Sequence, residues 1–231
     1  FDIRIDDLRN SYLTNLLQND IFSYSFMIFC FLVLINGSNF IDGLNGLQLG
    51  YYFIVLIIII SNNFLPFCLI NEYNSFFLLA LLIFLLFLNF NNKIFLGDSG
   101  SYLLSIFFGF LLIEIYNNNK LISPYFIALL LWYPCFENLF SIIRKFNINF
   151  SPIKPDNKHF HQLLYLCLSK KFKCSKLYAN NLASIIINTI NLIIISIGAF
   201  NYNHTIVQLI LILLSCLIYT KVYLILLKIL N

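Results

Sequence analysis

The chain reads as an all-α, polytopic membrane protein with about seven transmembrane helices, and three observations predict that class. Of its 231 residues, 60% are hydrophobic and only 10% are charged, and the mean hydropathy is +0.85, well outside the usual range of a soluble domain. The apolar residues gather into runs of roughly the 17 to 25 residues that cross a bilayer as a helix. Those runs are apolar on every face, as in Ile54-Val-Leu-Ile-Ile-Ile-Ile60 and Leu78-Leu-Ala-Leu-Leu-Ile-Phe-Leu-Leu86. A transmembrane barrel would instead show segments of about ten residues with alternating polarity.

The elements follow in order. Spans are expected near Ile21–Ser38, Leu47–Ile60, Ser75–Phe90, Tyr102–Tyr116, Ser123–Ile143, Leu182–Phe200 and Thr205–Leu230, with ends uncertain by several residues. No internal repeat divides them, so residues 1–231 form one transmembrane domain. Eight of the 14 Lys and Arg residues (Arg144, Lys145, Lys154, Lys158, Lys170, Lys171, Lys173, Lys176) fall in the loop between the fifth and sixth spans. Because cations are retained on the cytoplasmic side, the loop 144–178 is expected there. Counting crossings outward puts Asp42 and Asp98 on the same side. Ser61–Asn74, Asn117–Ile122 and Asn201–His204 fall on the opposite side, with Lys120 as their only basic residue.

The count also places residues 1–20 outside, although the chain starts at Phe1 with no basic, apolar signal to carry them across. An odd number of earlier spans would resolve this, so the chain is expected to be the C-terminal part of a longer protein. Cys30, Cys68, Cys135, Cys167, Cys174 and Cys216 form no CxxC pair and read as apolar fillers or free thiols. Asparagine runs such as Asn117-Asn-Asn119 carry no weight in a chain rich in that residue. Nucleic acid is not an expected partner.

Three polar islands interrupt the apolar chain: Asn39-Phe-Ile-Asp-Gly-Leu-Asn-Gly46, Gly97-Asp-Ser-Gly-Ser101 and Lys154-Pro-Asp-Asn-Lys-His-Phe-His-Gln162. Two spans separate each from the next, so all three return to one face. The first could be a plain helix end, since glycine ends helices and tolerates positive φ. The second could be a helix cap made by Asp98 or Ser99. Alternatively, its exposed amides and carboxylate suit a diphosphate with its divalent cation. In the third, His159 and His161 lie on one side of an extended segment, among Lys154, Lys158 and Arg144. A zinc site lacks further ligands there, and a basic loop attracted to anionic lipid remains open. Phosphate recognition by imidazole and ammonium donors fits best.

Together the islands resemble, in order and spacing, the polyprenyl-phosphate N-acetylhexosamine-1-phosphate transferases of glycosyltransferase family 4. Asn39-Phe-Ile-Asp42-Gly-Leu-Asn45-Gly-Leu is similar to that family's Asn-x-x-Asp-Gly-x-Asp-Gly-Leu. Phe95-Leu-Gly-Asp98-Ser-Gly-Ser is similar to Phe-x-Gly-Asp-x-Gly-Ser. Ser151-Pro-Ile-Lys-Pro-Asp156-Asn-Lys-His159-Phe-His161 is similar to its histidine loop, preceded by Pro134-x-x-Glu137 and Arg144. Asn45 replaces an aspartate, Gln162 a histidine, and Glu137 stands where aspartate is commoner. Asp6-Asp7 cannot be the family's paired aspartates, since one span puts them opposite Asp42; that pair is expected upstream, and this piece alone is expected to be inactive.

The resemblance implies transfer of a sugar 1-phosphate from a UDP-N-acetylhexosamine to a polyprenyl phosphate in the bilayer, with release of UMP. It implies Mg²⁺ or Mn²⁺ on Asp98, a catalytic role for Asp42 and Asp98, and nucleotide or phosphate binding by Asn39, Asn45, His159, His161, Arg144 and Lys158. It further implies an inner-membrane location with a cytoplasmic site, and it allows a homodimer. A multi-span transporter or an inactive scaffold is the competing class. A transporter places its polar residues near mid-membrane, whereas these sit at span ends; Glu137 and Asn188-Thr-Ile-Asn191 lie nearer mid-span and are expected to hydrogen-bond between helices.

Overall fold

The computed structural model describes residues 4–65, 72–147 and 158–230. Among them the regular structure is entirely helical: α1 (Ser11–Leu17), α2 (Asp20–Ile41), α3 (Leu47–Ser61), α4 (Glu72–Phe90), α5 (Gly97–Asn118), α6 (Pro124–Leu130), α7 (Trp132–Asn147), α8 (Phe160–Leu166), α9 (Lys176–Phe200) and α10 (Thr205–Leu230), with a π turn at Cys167–Lys171 after α8. Helices α2, α4, α5, α9 and α10 are each long and apolar enough to cross a membrane, and α6 with α7 makes a sixth such unit, bent by 74°. Helix α3 is also apolar but shorter, at 15 residues about 22 Å long, so the described residues hold five or six such units where about seven spans were expected. The protein is a multi-pass membrane protein.

The bend has a local cause. Pro134 has no N–H to give to the carbonyl four residues back, and its ring crowds that carbonyl. That carbonyl belongs to Leu130, and the Tyr51 hydroxyl of α3 donates to it at 3.0 Å. A neighbouring helix thus supplies the hydrogen bond that proline removes, as the apolar interior demands.

Helix α7 then packs on α2 with its polar residues inward. Glu137, Asn138, Ser141 and Lys145 are buried, while Leu139, Ile143 and Phe146 are exposed, the reverse of a water-facing amphipathic helix. Gly37 allows the close approach, because a Cβ there would lie 2.0 Å from the Pro134 carbonyl oxygen. The Asn138 side chain donates to the Val33 carbonyl at 3.2 Å across the same contact.

The end of the bundle opposite the islands is clasped by the N-terminal segment. Arg9 donates to the carbonyls of Asn203, Lys120 and Leu121 and to the Thr205 hydroxyl. Tyr116 donates to the Asp7 carbonyl, and Asp6 lies 3.9 Å from Lys120. Within the described residues, the expected grouping of the N-terminal segment with Asn117–Ile122 and Asn201–His204 is therefore met from residue 4 onward, and Asp6-Asp7 lies at the far end of α2 from Asp42.

Candidate functional site

The first island sits between the end of α2 and the start of α3. Asp42 caps α2, donating its backbone N–H to the Asn39 carbonyl at 3.3 Å. A carboxylate at a helix C-terminus meets the negative end of that dipole, and here it finds a compensating donor, the backbone N–H of Gly97 at the start of α5. The helix-cap reading of the second island is not what the fold shows, since the N-cap of α5 is Leu96 and no side chain among the described residues caps it. Asp98 lies in the first turn, exposed, and its charge reaches Asp42. Burial first, and the neighbouring Asp98 charge after it, push the Asp42 carboxyl up to about 7, against the lowering effect of the Gly97 bond. A carboxyl raised by burial and by a neighbouring carboxylate in this way lies in surroundings that a hard cation would neutralise.

A set of amides sews these islands together. The Asn45 side chain donates to Asn92, and the Gly46 N–H donates to Asn89. Asn89 in turn donates to the Ile94 carbonyl at 2.9 Å. Gln48 donates to the Ser101 hydroxyl at 2.8 Å. From α9, Asn180 accepts the Asn45 N–H at 2.8 Å, and Asn188 donates to the Gly46 carbonyl at 3.0 Å. Gly46 itself has φ of +72°, which suits glycine. Asn45 is thus buried and tied into the frame, whereas Asn39 is half-buried at the end of α2. None of Asn89, Asn92 or Asn180 stands out in the sequence; Asn188 was expected to bond between helices, and it does.

The third island docks from the other side. Ile148–Asn157, which includes Lys154 and Asp156, lies outside the described residues. His159 is extended and precedes α8, and His161 is in the first turn of α8, so their rings still stack, with centroids 5.7 Å apart. His161 is fully buried, and neither ring nitrogen has a hydrogen-bond partner among the described residues. A Cβ on Gly43 would meet its Nε2 at 2.8 Å, which puts the ring directly on the first island. Burial pushes the His161 imidazole down to about 4 despite the nearby Glu137 carboxylate.

His159 is held by Glu137 at 2.9 Å and packs on Phe40 with ring centroids 4.9 Å apart. Gln162 accepts the His159 N–H at 3.3 Å, so it helps to start α8, one half of a capping box. Lys158 is exposed, and its carbonyl accepts from Tyr223 at 3.0 Å. Arg144 is half-buried, donates to Ser141 at 3.2 Å, and lies 6.0 Å above the Tyr223 ring. Among the described residues no group of three or more His, Cys, Asp and Glu is poised to hold a metal. The oxygens of Asp42 and Asp98 fit a hard cation that draws its remaining ligands from a phosphate or water.

The fold and site define a multi-pass helical membrane protein whose polar motifs converge at one end of the bundle. Comparison with known proteins gives the family. Residues 2–116 match the model of glycosyl transferase family 4, and through this stretch the chain belongs to that family. It is 28% identical over 141 residues to an undecaprenyl-phosphate alpha-N-acetylglucosaminyl 1-phosphate transferase of Thermotoga maritima, covering 60% of this chain and 42% of that protein. It is 30% identical over 165 residues to a probable undecaprenyl-phosphate N-acetylglucosaminyl 1-phosphate transferase of Bacillus subtilis, covering 70% of this chain and 46% of that protein. The chain spans less than half the length of either relative. No solved structure matches it.

Proposed function

We propose that the full-length protein transfers a sugar 1-phosphate from a UDP-N-acetylhexosamine to a polyprenyl phosphate, as the first membrane step in building a cell-surface glycan. The observation that carries this reading is the convergence of the islands: Asp42 accepts from Gly97 beside Asp98, and His161 rests on Gly43. Residues more than 100 positions apart meet at one end of a bundle whose other surfaces suit lipid. The basic loop favours the cytoplasmic face of the bacterial inner membrane for that end.

In this reading an oxygen of the acceptor lipid phosphate bonds to the sugar-linked phosphorus while the bond to the UMP oxygen breaks. Two polyanions must be held together for this, so positioning and charge neutralisation are the main demands. Mg²⁺ held by Asp98 with Asp42 would neutralise the diphosphate and the departing UMP. The nitrogens of buried His161, which have no partner among the described residues, would gain one in a phosphate or nucleotide. His159, Arg144 and Lys158 add donors on the same side. Asn39 and Asn45 bracket Asp42 and hold its loop for the nucleotide.

Full-length protein assayed with UDP-N-acetylglucosamine, undecaprenyl phosphate and Mg²⁺ should release UMP, and Asp98→Asn should lower the rate by at least about 100-fold. No Mg²⁺-dependent release with any UDP-N-acetylhexosamine would refute the reading. A normally active Asp98→Asn protein would remove Asp98 from it.

A further inference from the structure

Glu137 is a carboxylate in the interior of the bundle, 1% exposed, where three donors converge. His159 Nδ1 lies 2.9 Å from its Oε1, the Phe160 N–H donates to the same oxygen at 3.3 Å, and the Tyr219 hydroxyl donates to Oε2 at 2.7 Å. Because Oε1 already accepts from a backbone amide, the pairing is consistent when Nδ1 carries its hydrogen and donates as well. Any contact of this ring with an anion must then run through Nε2. The three donors come from three places: the start of α8, its first turn, and α10.

We propose that Glu137, braced by Tyr219, is a positioning residue that fixes the tautomer and ring angle of His159 and thereby sets the third island on the first. The proposal rests on the transferase reading for its kinetic arm only. A buried charge is costly unless it is fully hydrogen-bonded, and these three hydrogen bonds tie the carboxylate to the junction between α8 and α10. His159 passes the constraint on by stacking on His161, whose ring abuts Gly43. Carboxylate-to-imidazole bonds of this kind orient a working histidine in other enzymes, where the carboxylate itself takes no part in bond making.

Two measurements on the full-length protein decide it. The first needs no activity: carbethoxylation of His159 by diethyl pyrocarbonate, followed by peptide mass spectrometry. Glu137→Gln and the milder Tyr219→Phe should each speed modification of His159 at least fivefold, with His204 at the opposite end unchanged. An unchanged His159 rate in both variants overturns the proposal. So does a matching rise at His204 in Tyr219→Phe, because the effect would then be general loosening. The second is kinetic: Glu137→Gln should lower kcat/KM for the UDP-sugar at least tenfold in the wild-type background and less than twofold in a His159→Asn background. An equal loss in both backgrounds would show that Glu137 does not act through His159. Absence of UMP release by the wild type would refute the transferase reading and leave the modification result to stand for or against the positioning role.

Discussion

His161 shows how burial, more than its charged neighbours, gives a side chain a measurable signature. Its imidazole titrates near 6.5 in an unfolded chain and near 4 in the fold. Between those values the unfolded chain takes up a proton that the folded one refuses, so stability falls as pH drops through 6.5 towards 4, by as much as about 3 kcal/mol. The melting temperature of the wild type should therefore fall more steeply from pH 7 to 4.5 than that of His161→Gln, and equal slopes would contradict the buried, neutral ring. Residues such as His161 and Asp98 were legible in the sequence because their motifs are local. The amides were not: Asn45 meets Asn92 and Asn180, and Gly46 meets Asn89 and Asn188, across separations that no spacing rule covers. In a chain full of asparagine, nothing marked Asn89, Asn92 or Asn180, and Asn45 and Asn188 were noted without these partners. The structure also rationalises Asn45 where the family pattern has aspartate, since its amide donates to Asn92, and a carboxylate there would meet Asn92 only if that amide turned around.

Helices were read correctly in existence and less well in shape. An all-round apolar run states that a segment crosses lipid, and it contains no periodicity to reveal which face packs or where the segment bends. The fifth span, expected as one piece from Ser123 to Ile143, is broken at Leu131 by 74°, and Pro134 was the available signal. Its repair by Tyr51 could not be foreseen, since Tyr51 belongs to another helix. Tyr51→Phe should leave the Leu130 carbonyl without this partner in an apolar interior and cost about 1–3 kcal/mol, seen as a lower melting temperature; no loss would mean that the carbonyl is satisfied otherwise. Gly37→Ala should also destabilise, by about 1–3 kcal/mol. The obstructing atom, 2.0 Å from the added Cβ, is the backbone carbonyl of Pro134, which cannot rotate aside as a side chain can.

At the scale of the molecule, crossing parity organises everything. The succession of apolar helices places Asp42, Asp98, His159 and His161 at one end, and Arg9 with its carbonyl partners at the other. That division was readable from the distribution of cations and apolar runs alone. What parity could not supply was contact: that Gly97 caps onto Asp42, that Gly43 is bare because His161 lies against it, and that Glu137 sits behind His159. The most direct test of the convergence is the maleimide labelling rate of full-length, otherwise cysteine-free protein carrying Ser99→Cys, Lys158→Cys or Asn203→Cys in sealed membrane vesicles, with and without UDP-N-acetylglucosamine and Mg²⁺. The first two should label from the same side and both be slowed by the nucleotide sugar, while Asn203→Cys labels from the opposite side at an unchanged rate. Labelling of Ser99→Cys and Lys158→Cys from different sides, or protection of neither, would contradict a single site built from these islands.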